Sequence, residues 1–313
     1  TQSEEWSFPS GPHLNEGDAF LSGGTGLKGF GKAAGLPAAT WASGANINSG
    51  RSEFGGGAGT QQAFLIFGGQ PSPLVALTES YDGSSWTEVS DLNAGRYYAA
   101  GFGTQTSAIC ASGNPGNTVN VESWNGSNWT ETGNVNTGRW GTGSSKNSPS
   151  TSGLIAGGND GSDTGATETW NGSAWTEVAD LNTARRQVGS CGDSQTAVLI
   201  MSGNPAPKVV VEQWNGTSWT EVGDLGASRY GGGGAGTTTS ALFIAGAPDS
   251  KANELWNGTS WTEVADTANY HDVAASGGAG VSAIVAGGRG SGQDAHFTEE
   301  WTADATLSTV TVS

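Results

Sequence analysis

The heptapeptide WNGSNWT, residues 124–130, sets an asparagine-glycine pair between two tryptophans, and it returns along the chain. WNGSAWT starts at Trp170, WNGTSWT at Trp214 and again at Trp256, and YDGSSWT, with one aromatic exchanged, at Tyr81. Asn-Gly or Asp-Gly between aromatic and β-branched flanks is a strong hairpin signal, because such turns need φ > 0, which glycine and asparagine adopt at least cost. The sequence thus predicts one hairpin per repeat, with both turn residues at positive φ.

Two further markers keep the same period. The second tryptophans of the phrases, extended back to Trp41, fall at 41, 86, 129, 175, 219 and 261. Short apolar bursts end at Gly24, Gly69, Gly113, Gly158, Gly203, Ala247 and Gly288, each about 44 residues after the last. Ten residues after each tryptophan stands Arg51, Arg96, Arg139, Arg185 or Arg229, then His271. Each repeat holds four extended pieces: a small-residue strand after the arginine, the β-branched burst, a strand ending T-E-x-W or V-E-x-W, and W-T-E-V. No segment sustains a 3.6-residue apolar period. Repeats of this size cannot bury two faces alone, so they pack radially as propeller blades. Glycine suits the crowded axis, and tryptophan fills the widening gap between sheets. The expectation is an all-β, seven-bladed propeller, one blade per burst, with six blades plus an N-terminal extension as the alternative.

These markers resemble the kelch repeat: an arginine opening the inner strand, Gly-Gly ending the second, an aromatic in the third and a tryptophan in the fourth. More narrowly, "WNGSxWTEV…LNTAR" and "GTQTSAxxxGG" are similar to kelch-like proteins of marine bacteriophages. The resemblance implies a virion-associated protein. It covers residues 36–302 as regular repeats within one domain over 1–313. Residues 1–35 are expected to form an irregular, abridged first blade. Ring closure is left open between 303–313 as a closing strand and an N-terminal segment crossing into the last blade.

Composition narrows the partners. The 313 residues carry a formal charge of −17 and 53 glycines. That charge argues against nucleic acid, whose phosphates are held by clustered Lys and Arg, and against anionic membrane surfaces. No apolar run approaches the ~20 residues of a membrane-spanning helix. TQSEEWSFPS shows no basic and apolar leader. Cys110 and Cys191 have no metal-ligand spacing and are expected to be free and buried, though the sequence leaves their pairing open.

Little in the sequence calls for catalysis. His13, His271 and His296 match no metal pattern, so neither metal nor cofactor is expected. GTGLKGFGK (24–32) is glycine-rich but precedes no helix, so the anion-binding mechanism of a phosphate loop is missing. A copper oxidase on this scaffold needs a Tyr, Cys and His cluster that the five tyrosines and two cysteines do not assemble. Glu79, Glu122, Glu168, Glu212, Glu254 and Glu299 each precede the third-strand aromatic by two residues; Glu88, Glu131, Glu177, Glu221 and Glu263 follow the fourth-strand tryptophan by two. Such recurrence points to structure, with the first set pairing the repeated arginines. The rival reading places Arg51, Arg96, Arg139, Arg185, Arg229 and His271 as a positive ring at the channel mouth, binding an anionic sugar or an acidic loop. Asn125, Asn128, Asn171, Asn215 and Asn257 satisfy the N-glycosylation sequon.

The expected function is non-enzymatic: a structural or binding propeller of a virion, in a homo-oligomer or larger assembly. Its contacts with virion proteins or host glycan would be made through the variable loops 113–120, 158–167, 203–209 and 288–297. The alternatives are a secreted surface or filament glycoprotein and a carbohydrate-active enzyme.

Overall fold

The computed structural model describes residues 19–22, 26–29, 39–54, 56–70, 75–205, 208–248, 250–290 and 293–303. The chain divides into two compact units, one of residues 1–38 with 304–313 and one of 39–303. In the first, Ala19–Ser22 pairs antiparallel with Gly26–Gly29. The second contains six four-stranded antiparallel sheets.

Numbered from the first complete sheet, blade 1 comprises Gly56–Thr60, Ala63–Phe67, Thr78–Tyr81 and Trp86–Val89. Blade 2 comprises Ala100–Thr104, Ser107–Ala111, Val121–Trp124 and Trp129–Thr132. Blade 3 runs through Gly143–Ser144, Gly153–Ala156, Thr167–Trp170 and Trp175–Val178, and blade 4 through Gly189–Ser194, Ala197–Met201, Val211–Trp214 and Trp219–Glu221. Blade 5 holds Gly233–Gly236, Ala241–Gly246, Ser250–Trp256 and Trp261–Val264. Blade 6 takes Ala275–Ala279, Ser282–Ala286 and Thr298–Ala303 from one end of the sequence and Ala39–Ser43 from the other. The first strands of successive blades lie side by side, and those of blades 6 and 1 meet, so the ring closes.

The expectation of seven blades is therefore corrected to six, the stated alternative. The seventh burst, ending at Gly24, overlaps the hairpin strand Ala19–Ser22 in the other unit. It has no arginine before it in register, and the fourth-strand tryptophans number six, as do the five arginines together with His271. Trp41, the first member of the tryptophan register, pairs with Trp301 in the last blade. The N-terminal crossing is thus the closure observed; residues 304–313, proposed as a closing strand, lie outside the described residues.

The hub is glycine-rich because its strands nearly touch. A Cβ on Gly101 of blade 2 would lie 2.7 Å from the Gly57 nitrogen and 3.0 Å from the Gly56 Cα of blade 1. Toward the rim each blade interface holds its own apolar core. Phe102, Ile109 and Ala111 of blade 2 meet Ile155, Trp170 and Trp175 of blade 3; Leu65 and Phe67 of blade 1 meet Cys110, Trp124 and Trp129 of blade 2. The two indoles of a repeat have separate duties. The third-strand indole N–H donates within its own blade, Trp124 to the Gln105 carbonyl at 2.9 Å. The fourth-strand indole donates to the preceding blade, Trp129 to Thr78 Oγ1 at 3.1 Å.

The hairpin turn differs from expectation. Trp124 pairs with Trp129, leaving four residues in the loop. Only Gly126 takes positive φ, at 93°; Asn125 does not. Asn125 Oδ1 instead accepts the N–H groups of Ser127 and Asn128, both at 2.9 Å. Asparagine is there for its side-chain acceptor, which closes an Asx turn, rather than for tolerance of positive φ. Asp82 does the same in blade 1.

Candidate functional site

The repeated arginines open the path to the hub. Arg51, Arg96, Arg139 and Arg185 are at most 2% exposed and Arg229 is 3% exposed. Each meets the third-strand glutamate of its own blade: Arg51–Glu79 and Arg139–Glu168 at 2.5 Å, Arg185–Glu212 at 2.9 Å, with Arg96–Glu122 and Arg229–Glu254 likewise paired. Burial pulls the Arg51, Arg185 and Arg229 guanidiniums down from their ordinary value, and the glutamate charges push back. The second carboxylate oxygen is occupied as well. Asn136, three residues before Arg139, donates its backbone N–H (2.8 Å) and Nδ2 (2.9 Å) to Glu168 Oε2. Asn48, Asn93 and Asn182 repeat this on Glu79, Glu122 and Glu212. The spacing N-x-x-R carries this signal in the sequence, and only its arginine was singled out there. In blade 6, His271 Nε2 lies 3.0 Å from Glu299 and Nδ1 lies 2.8 Å from the Gly287 carbonyl. The six residues proposed as a channel-mouth ring are thus buried cross-braces, each held on a glutamate inside its own blade. The second glutamate set, from Glu88 to Glu263, is exposed on the outer strands.

The chemistry facing the channel mouth comes two residues later. Glu53, Tyr98, Gly141, Gln187, Gly231 and Val273 all have φ between 49° and 70°. Their backbones form a closed circle of hydrogen bonds. Tyr98 N donates to Glu53 O (2.9 Å), Gly141 N to Tyr98 O (2.8 Å) and Gln187 N to Gly141 O (2.7 Å). Gly231 N donates to Gln187 O (2.7 Å), Val273 N to Gly231 O (2.8 Å) and Glu53 N to Val273 O (3.0 Å). Left-handed conformation is costly for a β-branched residue such as Val273, and strain of this kind gathers at functional positions. Sequence reasoning missed this circle; its only trace is the change of residue type just after each arginine.

Unlike side chains surround the circle. Gln187 Nε2 donates to the Tyr98 hydroxyl at 2.8 Å, and Gln187 Oε1 accepts from Asn204 Nδ2 at 2.7 Å. Tyr98 and Trp140 rings lie 5.2 Å apart, and the Arg186 guanidinium sits 5.3 Å over Trp140 while pairing with Asp163. Burial and then the Glu53 charge push the Tyr98 phenol up, so it stays a neutral donor and acceptor. Arg289 pairs with Glu53 at 2.8 Å. The variable loops stand at the same mouth. The residue after each arginine bridges the first residues of the loop, as in Tyr97 with Asn114, Trp140 with Asn159 and Arg186 with Asn204. Half-buried aromatic faces beside amides and paired charges can hold a polar ligand by stacking and hydrogen bonding.

Elsewhere the candidate residues stay apart. Cys110 and Cys191 form no disulfide and are buried in different interface cores, and burial pushes both thiols up to about 12. His296 contacts the Ile47 carbonyl, and His13 lies outside the described residues. Within 24–32, Gly26–Gly29 is a strand. Among the described residues no group of three His, Cys, Asp or Glu is placed to hold a metal. The five sequon asparagines are exposed.

No protein-family model and no curated protein matches the chain. Among solved structures it is similar to one titled "Structure of YjhT", with a TM-score of 0.67 and 12% identity, covering 82% of this chain and 95% of that one. A likeness at that identity speaks for the fold alone. By its strand order and by this likeness the chain is an all-β propeller of six blades.

Proposed function

We propose that this propeller is a kelch-like, non-enzymatic binding component of a phage particle, using its loop face to contact another virion protein or a host glycan. The observation that carries the reading is the contrast between framework and face. The repeated charges are consumed inside the blades, while the side chains that differ from blade to blade gather with the variable loops around one mouth. Rigid scaffolds place recognition on such loops. Among the described residues, only Val119 and Phe297 are exposed large hydrophobics, and both lie on these loops, so the interface is polar and modest in area. The repeat wording shared with phage kelch-like proteins supports the virion.

The test is binding of wild-type protein and the Tyr97→Ala/Trp140→Ala double variant to a glycan array and to purified virion proteins. Binding that disappears in the double variant at an unchanged melting temperature supports the reading. Equal binding by both, or turnover of a bound sugar, overturns it. A second reading, a secreted filament glycoprotein, is favoured by the exposed sequons at Asn125, Asn128, Asn171, Asn215 and Asn257; an intact mass equal to the bare chain removes it.

A further inference from the structure

One end of the central channel is crossed by a loop that the other blades lack. Two residues join the first and second strands in blades 1, 2, 4 and 6, as from Thr104 to Ser107 in blade 2. In blade 3 the first strand stops at Ser144 and the second begins at Gly153, leaving 145–152 between them. Lys146 reaches the opposite side of the ring: Nζ donates to Ser276 Oγ at 2.7 Å and to Ser276 O at 3.1 Å in blade 6. Asn147 Nδ2 donates to Gly278 O of blade 6 (2.9 Å) and Gly236 O of blade 5 (3.3 Å). The Asn147 N–H donates to Gly192 O of blade 4, and Lys146 O accepts from the Gly103 N–H of blade 2. Only a segment on the axis can touch blades 2, 4, 5 and 6 together.

Above this floor lies a cavity of about 90 Å³, continuous with the mouth circle and lined by Tyr98, Thr142, Ser144, Gln187, Ser190 and Lys146. Lys146 is the one charged side chain in that lining. It has no carboxylate partner among the described residues, and Ser276 takes two of the three hydrogens an ammonium donates. A half-buried ammonium without a counter-charge is costly. At about 10–15 Å³ of such space per water, the cavity suits several waters or one small ion.

We propose that this cavity binds one small anion, such as nitrate, chloride or a short carboxylate, with the Lys146 ammonium as its counter-ion. The site goes beyond the loop-face reading and stands whether or not that face binds a partner. Burial lowers the Lys146 amine to about 8, while the Cys191 thiol that bears on it is pushed up to about 12 and the Tyr98 phenol is raised. Of these three groups, Lys146 is the one that titrates in the mildly alkaline range.

The experiment is titration of wild-type protein with sodium nitrate at constant ionic strength, sodium gluconate being too large to enter and serving as the balancing salt. Calorimetry and the thermal midpoint are read together. A saturable rise with nitrate is expected, absent in Lys146→Met. Wild-type affinity should fall about tenfold for each pH unit above the Lys146 titration. That pH series decides the matter if Lys146→Met does not fold. No saturable response, a response retained in Lys146→Met, or an affinity flat from about pH 7 to pH 10 overturns the proposal.

Discussion

Blade 2 and blade 6 have the same four strands but are assembled differently. Blade 2 is one continuous stretch, 100–132, whose cross-brace is Arg96 on Glu122. Blade 6 borrows Ala39–Ser43 from far along the chain, and its brace is His271 on Glu299. Its tryptophans, Trp41 and Trp301, pack at 5.3 Å like Trp124 and Trp129 at 5.4 Å, yet Trp41 is only half-buried. Glu299 compensates by accepting two backbone N–H groups, Ala268 and Asn269, each at 2.8 Å. A ring made of repeats must be shut somewhere by a non-local pairing. Here the seam coincides with the one brace in which a titratable imidazole replaces a permanent cation.

The comparison breaks most visibly if the borrowed strand is removed. Deleting residues 1–43 exposes the edge of Thr298–Ala303 and one face of the Trp301 indole, and an unpaired edge recruits other chains. We expect soluble aggregates by light scattering and a broad thermal transition. A monomer melting as sharply as the full chain would show that the seam carries no weight. The next effect belongs to the continuous blades. Arg139→Ala leaves Glu168 buried and unpaired in blade 3, which costs about 3–5 kcal/mol. Urea unfolding should show that loss without a change in slope, and a loss under about 1 kcal/mol would reduce the brace to surface-pair value.

The repeat period made most of the fold legible. Trp86, Trp129, Trp175, Trp219 and Trp261 mark the outer strand of each continuous blade, and the Arg–Glu pairing followed from two recurring registers. The blade count failed because one apolar burst was given the weight of a blade, although the tryptophan register and the register of five arginines and His271 each counted six. Non-local pairing such as Trp41 with Trp301 leaves no local signal at all. The turn was placed correctly but its mechanism was not, because Asn-Gly serves both a type I′ turn and an Asx turn. The candidate sites were least legible. The mouth circle depends on backbone φ at unlike residues, from Glu53 to Val273, and Lys146 became notable only when its loop was seen to lie on the axis.

The smallest expected effect sharpens the seam comparison through pH. Burial alone would raise the Glu299 carboxyl, but the His271 hydrogen bond and the Ala268 and Asn269 N–H groups outweigh it and hold the group below its ordinary value. A carboxylate whose pKa is depressed by folding contributes stability that is complete at neutral pH and is lost as pH falls through the folded value. Glu299→Gln keeps the shape and discards the charge, so the variant should be less stable than wild type near pH 7. Below the ordinary carboxylate range the wild-type side chain also becomes neutral, and the gap between the two proteins should shrink. Paired urea titrations from about pH 7 down to pH 3 measure that gap directly. If it stays constant, Glu299 holds blade 6 by shape and hydrogen-bond count, and the seam differs from the continuous blades in connectivity alone.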